Sequence, residues 1–362
     1  MNNPYSLQRS STKLKLFTVL FLILGLSSIS KAATYYSFKA SAPFTTNFSA
    51  TSNWNTATNG SGSNPVAGDL TSGLHTFIIQ NGYTVTIDQD IDVLGLQVGT
   101  GTATTLTLGN STAARTVTIG SGGFSVSTNG TVGIGAFDAI HTLNLAGNLT
   151  VNGTLNLFTS ATRAANTTIT ASSVVSGSGA TLTFNNLNLS ATGSITATRA
   201  ITVSNNFVAA VGSTTNTNQN FVVNGNFTLP NGATYTQSAN TTTFSGTAAQ
   251  AIEINQGATF FGLTFSNGGV NAKTITGDIT ALSTLTVSAG STVTGSGTQT
   301  LRSNATISGT CNFSGTVNWE STGNISGSTP FSIGTAVSVF SGIKTLTGGT
   351  CLGEKLSFTS ST

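Results

Sequence analysis

Three carboxylates lie within one short segment of the chain. Asp88, Asp90 and Asp92 alternate with Gln89 and Ile91, so on an extended strand their side chains would share one face. Ca²⁺ prefers oxygen ligands of this kind and takes about six to eight of them. The spacing therefore indicates a candidate Ca²⁺ site. A turn at residues 88–90 would instead separate the carboxylates and leave them as solvated groups, and we favour that interpretation.

The other residues that could do chemistry are scattered. His75 and His141 have no metal-binding spacing such as HExxH, and no serine lies in a GxSxG context. Acid–base catalysis needs carboxylates brought into one groove, whereas the acids of this chain are mostly isolated. They are Asp69, Asp88, Asp90, Asp92, Asp138, Glu253, Asp278, Glu320 and Glu354. We therefore expect a protein that is not an enzyme and has no cofactor, apart from the weak Ca²⁺ candidate. The alternative is a polysaccharide-processing β-helix, a lyase or hydrolase.

Two cysteines occupy matching contexts, with Cys311 in GTCNF and Cys351 in GTCLG. A disulfide between them is one prediction, because an exported protein can be oxidised. Two stacked, inward-facing thiols are the other. Residues two repeats apart would have Cα atoms about 9–10 Å from each other, beyond the roughly 7 Å that a disulfide spans. Both alternatives stay open at this point.

A short sequence motif, which we call the glycine phrase, recurs at intervals of about 20 residues, and the structure that it forms must position the carboxylates, histidines and cysteines. It reads LTVNGTLNL at 149–157, FTLPNGATY at 227–235 and LTVSAGSTV at 285–293. Alternating apolar residues on either side of a glycine indicate short strands joined by turns. A fixed period of this length is typical of stacked units. We therefore predict an all-β protein, a right-handed parallel β-helix (solenoid) with rungs of about 20 residues and about 14 rungs from residue 74 onward. Antiparallel hairpins in a sandwich are the alternative.

The ends of the chain differ from the repeats. Residues 1–32 have a basic start, the apolar run 16–26 and small residues before Ala33, as in a secretory signal peptide. Residues 33–73 are rich in aromatic side chains, and we predict that they cap the solenoid formed by residues 74–362. The chain stops within the repeat pattern at FTSST, which predicts either a truncated chain that continues further or a capping partner.

Composition limits the partners. Four of the twelve basic residues lie in the signal segment, so eight remain against nine acidic residues, a net charge of −1. This charge gives no support for binding nucleic acid or anionic membranes, and we expect no membrane span in the mature chain. Only 6% of residues are charged, and serine, threonine and asparagine fill most polar positions. These side chains predict binding, if any, to glycans or surfaces through a Thr/Asn/Ser-rich face.

Threonine pairs could give that face a regular order. Thr84/Thr86 and Thr116/Thr118 have the Thr-x-Thr spacing of one strand face. A continuous hydroxyl array that orders water or ice would need such pairs at the same point of every rung. Their positions drift along the sequence, so we expect no continuous array.

Three stretches resemble the repetitive β-strand-repeat proteins that gliding-type Gram-negative bacteria place on their surface. They are the opening YYSFKASAPFTTNFSATSNWNT with HTFIIQNGYTVTIDQDIDVLGLQVG, the segment ATFFGLTFSNGGVNAKTITGDITALSTLTVSAG, and the copies of LTVNGTL. The resemblance implies a parallel β-helix and an adhesin-like role at the cell surface. Such proteins often end in a type IX secretion sorting domain, which this sequence lacks. From the resemblance and the signal-like start together, we expect an exported structural or adhesive protein, extracellular or on the outer cell surface.

Overall fold

The protein is a parallel β-solenoid. The computed structural model describes residues 31–38, 45–266, 272–302, 304–320, 323–327, 331–332, 337–340, 344–347, 351–352 and 355–358. Strands make up 60% of the structure and helix 3%, in turns of about 21 residues. The predicted all-β solenoid is therefore confirmed. Residues 1–33 separate from residues 34–362 as a unit of their own, and residues 1–30 of the predicted signal peptide lie outside the described residues.

The first part of the solenoid contains two 3-10 helices, Thr51–Asn53 and Ala67–Thr71. Its strands are β1 (Thr34–Ser37), β2 (Thr45–Asn47), β3 (Trp54–Asn55), β4 (Thr76–Gln80), β5 (Thr84–Ile87), β6 (Ile91–Thr100), β7 (Thr104–Leu108), β8 (Thr116–Val126), β9 (Gly130–Ile134), β10 (Ala139–Leu145), β11 (Leu149–Val151), β12 (Thr154–Asn156), β13 (Phe158–Ser160), β14 (Arg163–Ile169), β15 (Ser172–Ser176) and β16 (Thr181–Phe184). Strands β13 and β14 form a short antiparallel pair.

Three middle rungs have three strands each, and the next two rungs are each formed by one long strand. The strands are β17 (Leu187–Leu189), β18 (Ser194–Ala197), β19 (Ile201–Val203), β20 (Phe207–Ala209), β21 (Thr214–Thr217), β22 (Phe221–Val223), β23 (Phe227–Leu229), β24 (Thr234–Gln237) and β25 (Thr241–Phe244), followed by the long strands β26 (Gln250–Phe265) and β27 (Ala272–Val287). The last strands are β28 (Thr292–Gly295), β29 (Thr298–Leu301), β30 (Asn304–Ile307), β31 (Thr310–Phe313), β32 (Thr316–Trp319), β33 (Gly323–Ser326), β34 (Phe331–Ser332), β35 (Val337–Phe340), β36 (Lys344–Thr347), β37 (Cys351–Leu352) and β38 (Lys355–Phe358).

Rung length varies along the solenoid. Thr116 pairs with Thr142, 26 residues later, whereas Leu187 pairs with Phe207 at 20 residues and Thr298 with Thr316 at 18. The longer early rungs use more chain per turn than the later ones. Successive strand pairings connect fourteen rungs from β4 to β38, in agreement with the predicted count of about 14.

Several copies of the recurring glycine phrase form a β-turn at one corner of the rung, whereas at Gly153 the backbone N–H bonds to the carbonyl of Val126 on the preceding rung. Residues 210–213, 230–233 and 288–291 each close with a hydrogen bond from the backbone N–H of the fourth residue to the carbonyl of the first. Glycine stands third in each turn, and Gly232 has a φ of +89°. A type II turn requires positive φ at that position, which glycine adopts without steric cost. The phrase therefore marks the point where the chain leaves one strand of the rung for the next.

Alternate residues of the strands point inward and form the core. Leu, Val, Ile and Phe side chains on this face are buried. The largest of them stack along the middle rungs, where the rings of Phe207 and Phe227 lie parallel at 5.0 Å and those of Phe244 and Phe265 at 5.7 Å. Parallel in-register rungs place like residues above one another, about 4.8 Å apart. The core is therefore a set of side-chain columns.

The segment predicted as a cap contributes to the first rung. Strand β1 pairs in parallel with β4, and β2 pairs with β5. Strand β3 lies antiparallel along the other edge of β1. The rings of Phe48, Trp54 and Phe77 pack within 5.1 Å of one another. Residues 34–37 and 45–47 thus belong to the solenoid sheet, and the capping role of the remainder of 33–73 stays a prediction.

Candidate functional site

The three clustered carboxylates are used within the scaffold. Asp88 accepts hydrogen bonds from the backbone N–H and the hydroxyl of Ser49, and Asp90 accepts one from the backbone N–H of Thr116 at 2.8 Å. Residues 88–90 lie between β5 and β6 and not on a strand. The carboxylates therefore do not share a strand face, which corrects that part of the Ca²⁺ hypothesis. Among the described residues, no three His, Cys, Asp or Glu side chains are placed to hold a metal ion.

Asp90 belongs to a repeated arrangement at the corners. At several corners an Asn or Asp side chain accepts a hydrogen bond from a backbone N–H of the next rung, 20 to 26 residues later. The pairs are Asp90 with Thr116, Asn148 with Val174, Asn206 with Asn226, Asp278 with Thr298 and Asn304 with Asn324. Four of the five donors, all but Asn226, lie in strands, and all five bonds are exposed, so each adds a modest side-chain contact between successive rungs. These residues therefore join rungs.

Replacing Asp90 tests this role directly. We expect Asp90→Ala to lower the free energy of unfolding by about 1 kcal/mol, because the N–H of Thr116 loses its acceptor. Asp90→Asn keeps an acceptor oxygen and is the matched control, with stability near that of the wild type. Urea denaturation with and without Ca²⁺ measures both effects. Equal destabilisation by the two variants, together with stabilisation of the wild type by Ca²⁺, would support the metal site instead.

His75 lies in a buried cluster near the first rung. Its Nε2 is 3.3 Å from Oδ1 of Asp69, and the hydroxyl of Tyr35 donates to Oδ2 of the same carboxylate at 2.8 Å. Burial, with the hydrogen bond to Asp69, raises the pKa of Tyr35 to about 12. Asp69 lies in the 3-10 helix Ala67–Thr71, so these contacts tie that helix to β1 and to the start of β4.

His141 is also buried, on β10. Its Nδ1 accepts a hydrogen bond from the backbone N–H of Arg115 at 3.0 Å. Burial, and then the charge of Arg115, lower the pKa of His141. The neutral ring therefore accepts the hydrogen bond, and protonation would remove the acceptor. The two histidines lie in different local clusters, each as part of the scaffold.

The lowered pKa of His141 predicts a pH dependence. Because the folded pKa lies below the ordinary value of 6.5, the stability that His141 contributes is present above about pH 6.5 and is lost as the pH falls. In His141→Asn an amide oxygen takes the place of Nδ1 and does not titrate. We expect the variant to lose less stability than the wild type between pH 7 and pH 5, measured by urea denaturation. Parallel pH profiles for the two proteins would contradict this assignment.

The two cysteines lie on stacked strands. Cys311 is free and fully buried, and burial raises the pKa of its thiol to about 12. The backbone of Cys351 pairs with Phe331 on β34. The side chain of Cys351 lies outside the described residues, so the predicted disulfide stays a prediction.

Several long polar side chains point into the solenoid at its corners. Each donates a hydrogen bond to a backbone carbonyl of an earlier rung, as Gln237 does to Gln219, Gln250 to Val223 and Gly225, Lys273 to Gly246, and Gln299 to Gly277. Corner carbonyls that face the interior need such donors. Lys273 is fully buried, and burial lowers its pKa. These residues were missed at the level of sequence, because a long polar or charged side chain suggests an outward position.

Arg199 has the same role and also lines a groove. Its guanidinium donates to the carbonyls of Val151 and Gly179, which lie on the two preceding rungs. Burial lowers its pKa. Beside it is a groove of about 500 Å³, bordered by residues 177–180, which connect β15 to β16. Ile195, Ala197 and Ile201 point inward at every second position of this segment. Arg199 falls in the same alternation, and this is the sequence signal that places it inside.

The outward positions of one face form a long threonine column. Successive rungs pair its members directly in register, and they are Thr183, Thr202, Val222, Thr243, Thr264, Thr286, Thr306 and Ser326. Their side chains are half-buried or exposed. Val222 interrupts the column, and Thr241 pairs with Gly262 on the next rung, so the Thr-x-Thr pairs do not recur on every rung, as expected. The column of single hydroxyl groups was not predicted. Unequal rung lengths hide the column from any fixed sequence period.

In comparisons with known proteins, no family model, curated protein or solved structure matches this chain. The predicted resemblance to β-strand-repeat surface proteins therefore stays a prediction, although the solenoid that it implies is confirmed. No helix within the described ranges is long and apolar enough to cross a membrane.

Proposed function

We propose that this chain is an exported structural or adhesive solenoid that attaches to glycans or solid surfaces through its threonine column. The observation that carries the proposal is the column itself, in which seven of the eight positions from Thr183 to Ser326 bear a hydroxyl group in direct rung-to-rung register. Neighbouring rungs repeat at about 4.8 Å. A ligand with a regular array of hydroxyl groups meets a matching array of donors and acceptors.

The physical basis is the sum of many weak contacts. A hydrogen bond between neutral groups that replaces bonds to water contributes about 0.5–1.5 kcal/mol. Contacts held on one rigid face gain through effective concentration, because the first contact positions the next. The near-absence of charge, 6% of residues, suits neutral polysaccharide surfaces better than polyanions such as nucleic acid.

Export is part of the proposal and rests on the sequence of residues 1–32. An adhesive protein acts outside the cell, and the basic start followed by an apolar run is typical of a secretory signal. N-terminal sequencing of the protein recovered from the culture medium or cell surface tests this step. A chain that keeps residues 1–32 and stays inside the cell would contradict it.

Binding is tested with the mature protein, residues 33–362. We expect retention on at least one class of neutral polysaccharide in a glycan array, or on cellulose or chitin particles in a sedimentation assay. Retention should persist at high salt, because the proposed contacts are uncharged. Failure to bind any glycan or surface, by a protein with the circular dichroism of a folded β-sheet, would contradict the adhesive role.

A further inference from the structure

The groove beside Arg199 is a built feature of one corner. The connection between β15 and β16 is longer than its counterpart on the next rung, since Val175 and Thr183 lie 8 residues apart and their partners Ala197 and Thr202 lie 5 apart. Residues 177–179 in this connection line the groove. Its volume of about 500 Å³ falls within the range of small-ligand sites, about 300–1,000 Å³. It also touches Thr183 and Thr202, the first two members of the threonine column.

The lining combines hydroxyl and amide groups with one cation. Ser178, Thr181, Thr198 and Gln219 contribute polar side chains, and none of the described lining residues is acidic or aromatic. Hydroxyl and amide groups can both donate and accept hydrogen bonds, which suits the hydroxyl groups of sugars. A lining without aromatic rings offers no surface on which a nucleic acid base could stack.

The charge of Arg199 is not balanced by a carboxylate. The side chain is 7% exposed, and the ion pairs of the described residues involve other groups, His75 with Asp69 and Arg302 with Glu320. Its Nε, which is buried, has no hydrogen-bond partner among the described residues. Most buried charges in proteins are paired, because desolvation of an unpaired ion is costly. A carboxylate bound in the groove would offset that cost.

We propose that this groove binds a carboxylate-bearing sugar, such as a uronate residue within an acidic polysaccharide. The planar guanidinium matches a carboxylate better than it matches a hydroxyl group, while the threonine and glutamine side chains bind the sugar hydroxyls. This inference rests on the proposed glycan-binding function and adds a specific site at the start of the threonine column.

Two substitutions at Arg199 separate its charge from its structural role. Arg199→Gln keeps an amide that can donate to the corner carbonyls, as Gln250 and Gln299 do at other corners, and removes the charge. Gln219 already occupies the equivalent position one rung later. Arg199→Lys keeps the charge. Arg302→Gln removes an exposed cation away from the groove and is the control for general electrostatic effects.

The experiment is isothermal titration of the mature protein with three probes: tri-galacturonate, its neutral methyl ester, and inorganic phosphate. We expect tri-galacturonate to bind the wild type about tenfold or more tightly than the ester, as one charge-assisted contact allows. The preference should fall to near unity in Arg199→Gln and persist in Arg199→Lys and Arg302→Gln. If Arg199→Gln does not fold, the pair Thr181→Val and Thr198→Val should weaken binding of both trisaccharides.

Three results would overturn the site. They are equal binding of acid and ester by the wild type, a preference for the acid that survives in Arg199→Gln, and binding of phosphate as tight as that of the trisaccharide. The outcome is separable from that of the proposed function. Retention on neutral glycans that Arg199→Gln leaves unchanged would keep the adhesive role and exclude the acidic subsite. Binding of tri-galacturonate in the groove, by a protein that is not retained on any glycan or surface, would keep the acidic subsite and exclude the adhesive role.

Discussion

Replacing Phe227 with alanine is expected to destabilise the solenoid by about 3–5 kcal/mol, the usual cost of removing a large buried aromatic ring. Phe227 is fully buried. Its ring stacks on Phe207 at 5.0 Å and contacts Tyr235 at 5.3 Å and Phe244 at 5.4 Å. The ring of Phe260 on the following rung lies 6.3 Å away, so Phe227 contacts its own rung and both neighbouring rungs, and the cavity left by alanine would loosen contacts on both sides. Urea denaturation followed by circular dichroism gives the change in unfolding free energy.

The control for Phe227 is a phenylalanine on the surface. Phe137 is 49% exposed, and we expect Phe137→Ala to change stability by less than about 0.5 kcal/mol. Stacked repeats lose stability through local and neighbouring interfaces, so Phe227→Ala should also increase hydrogen exchange most strongly in the rungs around β20, β23 and β26. Similar small effects for the two variants would contradict the position of Phe227 in the core.

Replacing Gly153 with alanine is expected to cost at least about 2 kcal/mol, because a methyl group would meet backbone. A Cβ atom at this position would lie 2.1 Å from the carbonyl oxygen of Gly130 and 2.3 Å from that of Ser127. The next rung repeats the arrangement, with a Cβ at Gly179 placed 2.0 Å from the carbonyl oxygen of Gly153. Backbone cannot move aside as a flexible side chain can, so the rungs must separate at this corner.

Gly133 provides the matched control for Gly153. A Cβ atom there meets nothing within 4 Å, and we expect Gly133→Ala to leave the midpoint of urea denaturation close to that of the wild type. The two variants add the same methyl group to neighbouring rungs, so composition and helix or strand propensity cancel in the comparison. A Gly153→Ala protein as stable as Gly133→Ala would show that the corner is not closely packed.

The sequence predicts the fold through two local signals. Alternating apolar residues, such as Leu149 and Val151 before Gly153, give strands with one inward face. Repetition of the glycine phrase at intervals near 20 residues then favours stacked rungs. The length of each single rung could not be predicted, because the corner connections, such as residues 177–180 between β15 and β16, differ in length from rung to rung.

The candidate site was predicted less well, and the reasons are physical. Arg199 and Lys273 lie inside because corner carbonyls need donors, a demand that appears only when the rungs are stacked. The threonine column requires the pairing register, because the step from one member to the next varies from 19 to 22 residues. The turn at Asp88 to Asp90, in contrast, was the favoured sequence interpretation of that segment, and the structure places a turn there.

The central claim, that the threonine column is the attachment surface, is tested by removing hydroxyl groups without changing shape. The triple variant Thr243→Val, Thr264→Val and Thr286→Val keeps β-branched residues on the strands. Its control carries the same changes on another face, at Thr196, Thr236 and Thr280. The decisive measurement is retention of each mature protein on the polysaccharide that the wild type binds. We predict a loss of about tenfold or more for the column variant and retention near wild type for the control. Equal retention by the two variants would contradict the claim.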